Sequence, residues 1–200
     1  MDPDTFEALA NGTDGAKMLA EVLMVNRTIT IIDIRTNRFD AGGVRALGNS
    51  LRFNQGVTEV ELNTNKAGGE GAEAFFCALQ TIRTIQKLAL RRYDITSSSA
   101  RMLVDALKVN KTLTELRLQV NFLRDGGTQQ LAEALKVNNI LTTLKFYYNF
   151  IGSEGMKAIA EALKVNRKLT SIHILWSRTD ESGIVALAEA LKLNNLIFHY

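Results

Sequence analysis

The sequence predicts an α/β solenoid, a right-handed horseshoe whose concave side is a parallel sheet and whose convex side is a layer of helices. Three observations carry that prediction. The phrase Ala106-Leu107-Lys108-Val109-Asn110-Lys111-Thr112-Leu113 returns, little altered, from Ala134 and from Ala162. Its Asn110 stands on a grid of 28-residue steps with Asn26, Asn54, Ile82, Asn138, Asn166 and Asn194 at the other points, so six of seven grid points are Asn. Each period holds one short strand pattern and one helical pattern, and neither buries its apolar face alone, so neighbouring periods must stack. Helices are about 10 Å wide and stacked strands only about 4.8 Å apart, so the array bends toward the strand side.

The elements follow in order. Residues 1–26 read as a degenerate opening repeat, a polar cap over the first buried strand. Its strand part is nearly absent, the stretch from Asp2 to Glu7 is acidic, and a helix follows with Ala16, Leu19, Ala20 and Leu23 on one face. About six 28-residue repeats run from Ile29. Their strand motifs are Ile29/Ile32/Ile34/Asn37, Val57/Val60/Leu62/Asn65, Ile85/Leu88/Leu90/Tyr93, Leu113/Leu116/Leu118/Asn121, Leu141/Leu144/Phe146/Asn149 and Leu169/Ile172/Ile174/Ser177. Alternation at the second and third apolar positions fits a strand with one buried face. The closing Asn is expected to tie its amide to the following turn, and Tyr93 and Ser177 predict local differences in turns three and six. A Gly-containing turn then leads into each helix, replaced by Ser98-Ser99 as N-cap material in the third repeat. Helical anchors recur as Leu47/Leu51, Phe75/Leu79, Leu103/Leu107, Leu131/Leu135, Ile159/Leu163 and Leu187/Leu191. Asp105/Lys108, Glu133/Lys136, Glu161/Lys164 and Glu189/Lys192 mark the solvated outer face. The expected organisation is one domain over 1–200, with 196–200 starting a seventh strand that stops. That apolar end predicts either truncation from a longer chain or self-association.

Composition narrows the function classes. A net charge of +3, with basic residues spread over the repeats, gives no support for a nucleic-acid partner. No apolar run approaches the roughly 20 residues of a membrane helix, so no membrane partner is expected. A single cysteine, Cys77, permits no internal disulfide and points to a reducing, cytoplasmic setting. Sequons at Asn11, Asn26 and Asn110 reflect repeat chemistry, since two of them fall on the repeat's own Asn-x-Thr.

The pattern Leu113-x-x-Leu116-x-Leu118-x-x-Asn121-x-Leu123-x-x-Gly126, followed by Leu131-Ala132-x-Ala134-Leu135-x-x-Asn138, resembles leucine-rich repeats of the ribonuclease-inhibitor-like subclass over essentially the whole chain. Families with such repeats include ribonuclease inhibitor, Ran GTPase-activating protein, nucleotide-binding immune receptors and tropomodulin. Uniform spacing and the phrase Ala-Leu-Lys-Val-Asn look more like the last two. The resemblance implies a fold and a habit of binding proteins, and it transfers no binding motif residue by residue.

Residues between the buried strand positions point into the concave face. One column reads Asp33, Glu61, Ala89, Arg117, Lys145, His173, and like charges side by side there look like choices the fold does not require. Another, Glu59, Lys87, Glu115, alternates as a structural ladder. Two columns nearer the strand end read Arg35, Asn63, Arg91, Gln119, Tyr147, Leu175 and Thr36, Thr64, Arg92, Val120, Tyr148, Trp176, with aromatic and apolar members where exposure is expected. Tyr, Trp and Arg are the residue types enriched in binding hot spots. Arg91, Arg92, Arg117, Lys145, Tyr147, Tyr148, His173 and Trp176 are therefore the candidate partner site. The competing reading has Tyr148 and Trp176 packing on each other and the basic residues merely solvated.

Catalytic chemistry is not expected. His173 and His199 have no metal-ligand spacing to Cys77, which takes a helix register otherwise held by acidic residues. Gly68-Gly69-Glu70-Gly71 is the repeat's turn, and it lacks the Lys-Ser/Thr of a phosphate loop. No cofactor is expected. The expected function is a scaffold that binds another protein through the concave sheet. Alternatives are a non-catalytic regulator of a small GTPase or of actin, or a structural end segment of a larger receptor.

Overall fold

The structure, a computed structural model, describes residues 5–7, 12–63, 66–174, 178–193 and 197–199. Strand and helix alternate along the chain: β1 Thr5–Glu7, α1 Gly12–Val25, β2 Ile31–Asp33, α2 Ala41–Leu51, β3 Glu59–Glu61, α3 Gly68–Leu79, β4 Lys87–Ala89, α4 Ser97–Val109, β5 Glu115–Arg117, α5 Arg124–Val137, β6 Thr143–Lys145, α6 Ser153–Val165, β7 Ser171–His173, α7 Glu181–Lys192 and β8 Ile197–His199. The eight strands form one parallel sheet in chain order. The α/β horseshoe topology expected from the repeat is thus present.

The two ends differ from expectation in one way. The opening segment does contain a strand, in which Phe6 pairs with Ile32 rather than with Ile34, the residue a full grid step ahead. The strand is therefore out of phase with the grid and leaves no mark on it. At the other end the same slip recurs, since Ile172 pairs with Phe198 and not with Tyr200.

The repeat is explained by its buried side chains. Ile32, Val60, Leu88, Leu116, Leu144 and Ile172 line up across the sheet and are buried, as are the helix anchors from Leu47 through Leu163. Each such side chain contributes about 1.5–3 kcal/mol by leaving water. They form one continuous core from Ala16 to Ala190. The glycines expected in turns lie inside the first turn of the helices. A Cβ at Gly43 would stand 2.7 Å from the Ala16 Cβ, so α2 sits on α1 only because glycine is there.

The grid Asn residues stand where each helix meets the next strand, and they also join repeats. Asn110 Oδ1 accepts from the amides of Thr112 and Leu113 at 2.9 and 2.8 Å, while Nδ2 donates back to Leu79 O and Ile82 O at 2.9 and 3.1 Å. Asn54, Asn138 and Asn166 repeat both halves of this pattern. With 2 % exposure, the sequon at Asn110 is sealed in the fold. At Ile82 the grid fails, and just beyond it the Thr84 hydroxyl is buried with no partner. In the neighbouring repeat the equivalent Thr112 hydroxyl reaches Asn110.

The strand-end Asn residues were expected to hold the following turn, yet they reach backward. Asn121 donates to Leu90 O of the preceding repeat at 2.9 Å and to its own Leu118 O at 2.9 Å, and it accepts from Tyr93 N at 2.9 Å. Tyr93 fills its slot with a fully buried ring. Asn65, Ser177 and Asn194 lie outside the described residues. Helix α4 is capped by Thr96 rather than by Ser98-Ser99, with Ser99 closing the reciprocal bond. Asp180 caps α7, and the Ser182 hydroxyl, helped by Ser153 and the Gly183 amide, holds its carboxyl down at about 2. Among the described residues two of the four expected outer-face pairs close, Glu133–Lys136 and Glu161–Lys164, both at 2.6 Å.

Candidate protein-binding surface

Pairing sets Asp33, Glu61, Ala89, Arg117, Lys145 and His173 side by side, as the columns require. Their like-charged neighbours, read from the sequence as choices outside the needs of the fold, turn out to share counter-ions. Alternate residues on a strand face the same way, so Arg35 comes to lie against Asp33 and within 3.6 Å of Glu61. Arg117 Nε meets Glu115 Oε1 at 2.7 Å and its NH1 meets Glu61 Oε1 at 2.6 Å, spanning the gap left by Ala89. Lys145 takes the same Glu115 oxygen at 3.2 Å, and Lys87 meets Glu59 at 3.0 Å. Burial works to raise the Glu115 carboxyl, but hydrogen bonds and charge from Arg117 and Lys145 outweigh it and hold the group below its ordinary value. Arg117 and Lys145 are therefore not merely solvated; both are engaged within the sheet.

The outer columns leave the strand altogether. Thr36, Arg92, Val120 and Tyr148 all have left-handed backbone, with φ of 63°, 58°, 59° and 59°. That turn lifts their side chains out of the sheet at its C-terminal rim. In the adjoining column Gln119 is buried, contrary to expectation, whereas Arg91 and Arg92 are exposed. Tyr147 and Tyr148 meet edge to face, ring centres 5.8 Å apart, with Tyr148 exposed. His173 Nε2 lies 3.3 Å from Ser171 Oγ. Thr64, Leu175 and Trp176 lie outside the described residues, and with Trp176 the expected Tyr148–Trp176 contact.

The structure adds residues that the sequence columns left out. Phe122 and Phe150, one position beyond the strand-end Asn residues, stack with ring centres 5.7 Å apart and planes within 5°. The Arg178 guanidinium sits 5.0 Å over the Phe150 ring, continuing the stack one repeat further. The rings are 40 % and 42 % exposed. They line an open cleft of about 460 Å³ with Arg124, Asp125, Gly152 and Arg178. Asp125 has a structural task, since its Oδ1 takes the amides of Gly152 and Gly155 at 2.8 Å each and caps α6 from the repeat before. The earlier repeats hold Arg38, Lys66 and Asp94 at the Phe position. A switch from charged to aromatic at one grid offset was the available signal.

The rim thus presents two aromatic pairs, Tyr147–Tyr148 and Phe122–Phe150, with exposed Arg91 and Arg92 nearby in the sheet order. Of the eight candidate residues, the sheet holds Arg117, Lys145 and His173, and the rim holds Arg91, Arg92, Tyr147 and Tyr148. Cys77 lies exposed on α3, away from both.

A family model described as "Leucine Rich repeat" matches residues 25–48 and 137–160. Among solved structures, the leiomodin-1 actin-binding site 2 is 26% identical, with a TM-score of 0.62, covering 76% of this chain and 86% of that one. The C-terminal domain of Caenorhabditis elegans tropomodulin is 21% identical with a TM-score of 0.64, covering 75% of this chain and 92% of that one, and shows the shared fold. No curated protein sequence matches significantly.

Proposed function

Starting from a chain that is a leucine-rich-repeat solenoid, we propose that it is a non-catalytic scaffold that grips another protein with the C-terminal half of its concave face and the adjoining strand-to-helix rim. The observation that carries this reading is the exposed Phe122–Phe150–Arg178 stack beside Tyr147–Tyr148. Folding alone gives no reason to leave four aromatic rings and a guanidinium on one rim, and such side chains are those that anchor interfaces. Arg91, Arg92 and Arg124 supply charge there, while Arg117, Lys145 and His173 form a pre-ordered floor whose polar contacts already fix their geometry. In the sequence Trp176 stands one repeat beyond Tyr148. The first partner to test is actin, because leiomodin-1's similar domain is an actin-binding site, and the setting that goes with it is the cytoplasm.

The test is co-sedimentation with actin filaments and titration of labelled monomer. The expected result is binding that Phe150→Ala with Tyr148→Ala weakens at least tenfold, as two anchors at about 1 kcal/mol or more each would require. Both side chains are 42 % exposed and stack on neighbours, so the melt should stay cooperative and fall by only a few degrees. Binding unaffected by this pair of substitutions sinks the proposed surface. No binding by the wild-type chain removes actin and sends the same pair of variants to partner capture.

A further inference from the structure

We propose that the opposite edge of the solenoid, where each helix returns to the next strand, docks on an anionic lipid surface. The basic residues are scattered in the sequence, but the repeat gathers them. Stretches 24–28, 52–58, 80–86, 108–114, 136–142 and 164–170 hold nine Lys and Arg and no Asp or Glu. In-register parallel strands bring all six stretches to one edge.

Part of this charge serves the fold. Arg27, Arg83 and Arg167 each turn one guanidinium nitrogen onto carbonyls at a helix end, at 3.1, 2.7 and 3.2 Å. Lys136 and Lys164 pair with Glu133 and Glu161. Arg52, Lys108, Lys111 and Lys168 have no such role and stand exposed.

Between the cations runs a column that the fold does not explain. Val25, Phe53, Val109, Val137, Val165 and Leu193 occupy one grid offset at the helix ends, exposed by 47 to 77 %, and Thr81 is the one break in the series. On its strand side this column meets cations and no carboxylate, the acidic Glu21, Asp105, Glu133, Glu161 and Glu189 standing one helical turn back. That strand-side edge matches what the headgroup region of an acidic bilayer accepts: apolar groups enter the boundary while Lys and Arg meet the phosphates. A protein partner fits less well. Lys is depleted in protein interfaces and Val is under-represented among hot spots, and this edge has neither Tyr nor Trp in its column. A shallow cleft of about 310 Å³ between Lys136, Val165, Arg167 and Lys168 offers one place for a headgroup. Among the described residues no helix is long and apolar enough to cross a membrane. The sequence expectation of no membrane partner rests on that missing span, which surface docking does not need.

The experiment is co-sedimentation of the full 200-residue chain with phosphatidylcholine vesicles, with and without phosphatidylserine. Binding is expected only to the phosphatidylserine vesicles and should fall as salt rises. Lys111→Glu with Lys168→Glu, and separately Val137→Asp with Val165→Asp, should each lower partition at least about tenfold. All four sites are exposed, and an unchanged circular-dichroism melt verifies the fold. Equal binding to both vesicles, no binding, or full binding by the variants overturns the proposal. So does capture of an acidic protein or a nucleic acid by this edge without vesicle binding. Phe150→Ala with Tyr148→Ala should leave vesicle binding intact, so this reading and the protein-binding reading fail separately.

Discussion

Replacing Asn110 by Ala should destabilise the chain by about 4 kcal/mol, because four backbone groups depend on its side chain and each lost bond costs about 1 kcal/mol when its partner stays buried. Those groups are the carbonyls of Leu79 and Ile82 in the preceding repeat and the amides of Thr112 and Leu113 in its own. The residue is 2 % exposed, so water cannot take over. Asn26 is the matched control. It stands on the same grid point of the first repeat, accepts from Thr28 and Ile29 at 3.0 and 2.8 Å, and is half-exposed. Asn26→Ala should therefore cost only about 1–2 kcal/mol. Against a total stability of about 5–15 kcal/mol for a domain, the first substitution is severe and the second mild. Urea denaturation followed by far-ultraviolet circular dichroism measures both. With a slope of about 3 kcal/mol per molar, the Asn110→Ala midpoint should fall by roughly 1 M and the Asn26→Ala midpoint by less than half as much. Equal shifts would refute the reasoning, because the backward amide bonds between repeats would then contribute nothing.

Ile82 and Arg117 support two further predictions. Ile82→Ala should cost about 3 kcal/mol through cavity formation, whereas Ile82→Asn should recover most of that loss by giving Thr84 and the neighbouring backbone the partners found at other grid points; denaturation midpoints decide, and equal losses would contradict it. The Glu115 carboxyl is held below its ordinary value of 4.5, so its stabilising effect is complete above that pH and disappears as pH falls through the lowered folded value. Arg117→Ala should flatten the decline in stability below about pH 4.5, read from thermal melts across an acid series.

The horseshoe was legible because repetition amplifies a weak signal. No single Leu-x-x-Leu-x-Leu specifies a strand, but the same offsets recurring in every repeat leave stacking as the one way to bury them. The opening strand escaped because its step falls short of the grid and Phe6 stands out of phase with the other strand positions. The closing strand, expected from 196, was legible in its apolar residues although Phe198 carries the same slip. In the candidate site, Tyr147 and Tyr148 were readable as aromatic residues at exposed offsets. Phe122 and Phe150 were not, because their position was not counted as surface-facing.

The sequence by itself determined the period, the buried columns and the place of Asn110 and its equivalents in the repeat, since these depend on offsets along one chain. Only the tertiary structure decided which charges remain available. Beyond its strand neighbour Glu115, Arg117 has no visible partner until Glu61, two repeats earlier, falls within bonding distance across the sheet. Lys145 looks like a free cation until Glu115 of the preceding repeat reaches it. Conversely, Lys111 and Lys168 look isolated until stacking sets them on one edge beside Val137 and Val165. Electrostatic pairing depends on distance in space, which falls from whole repeats to a few ångströms once parallel strands align.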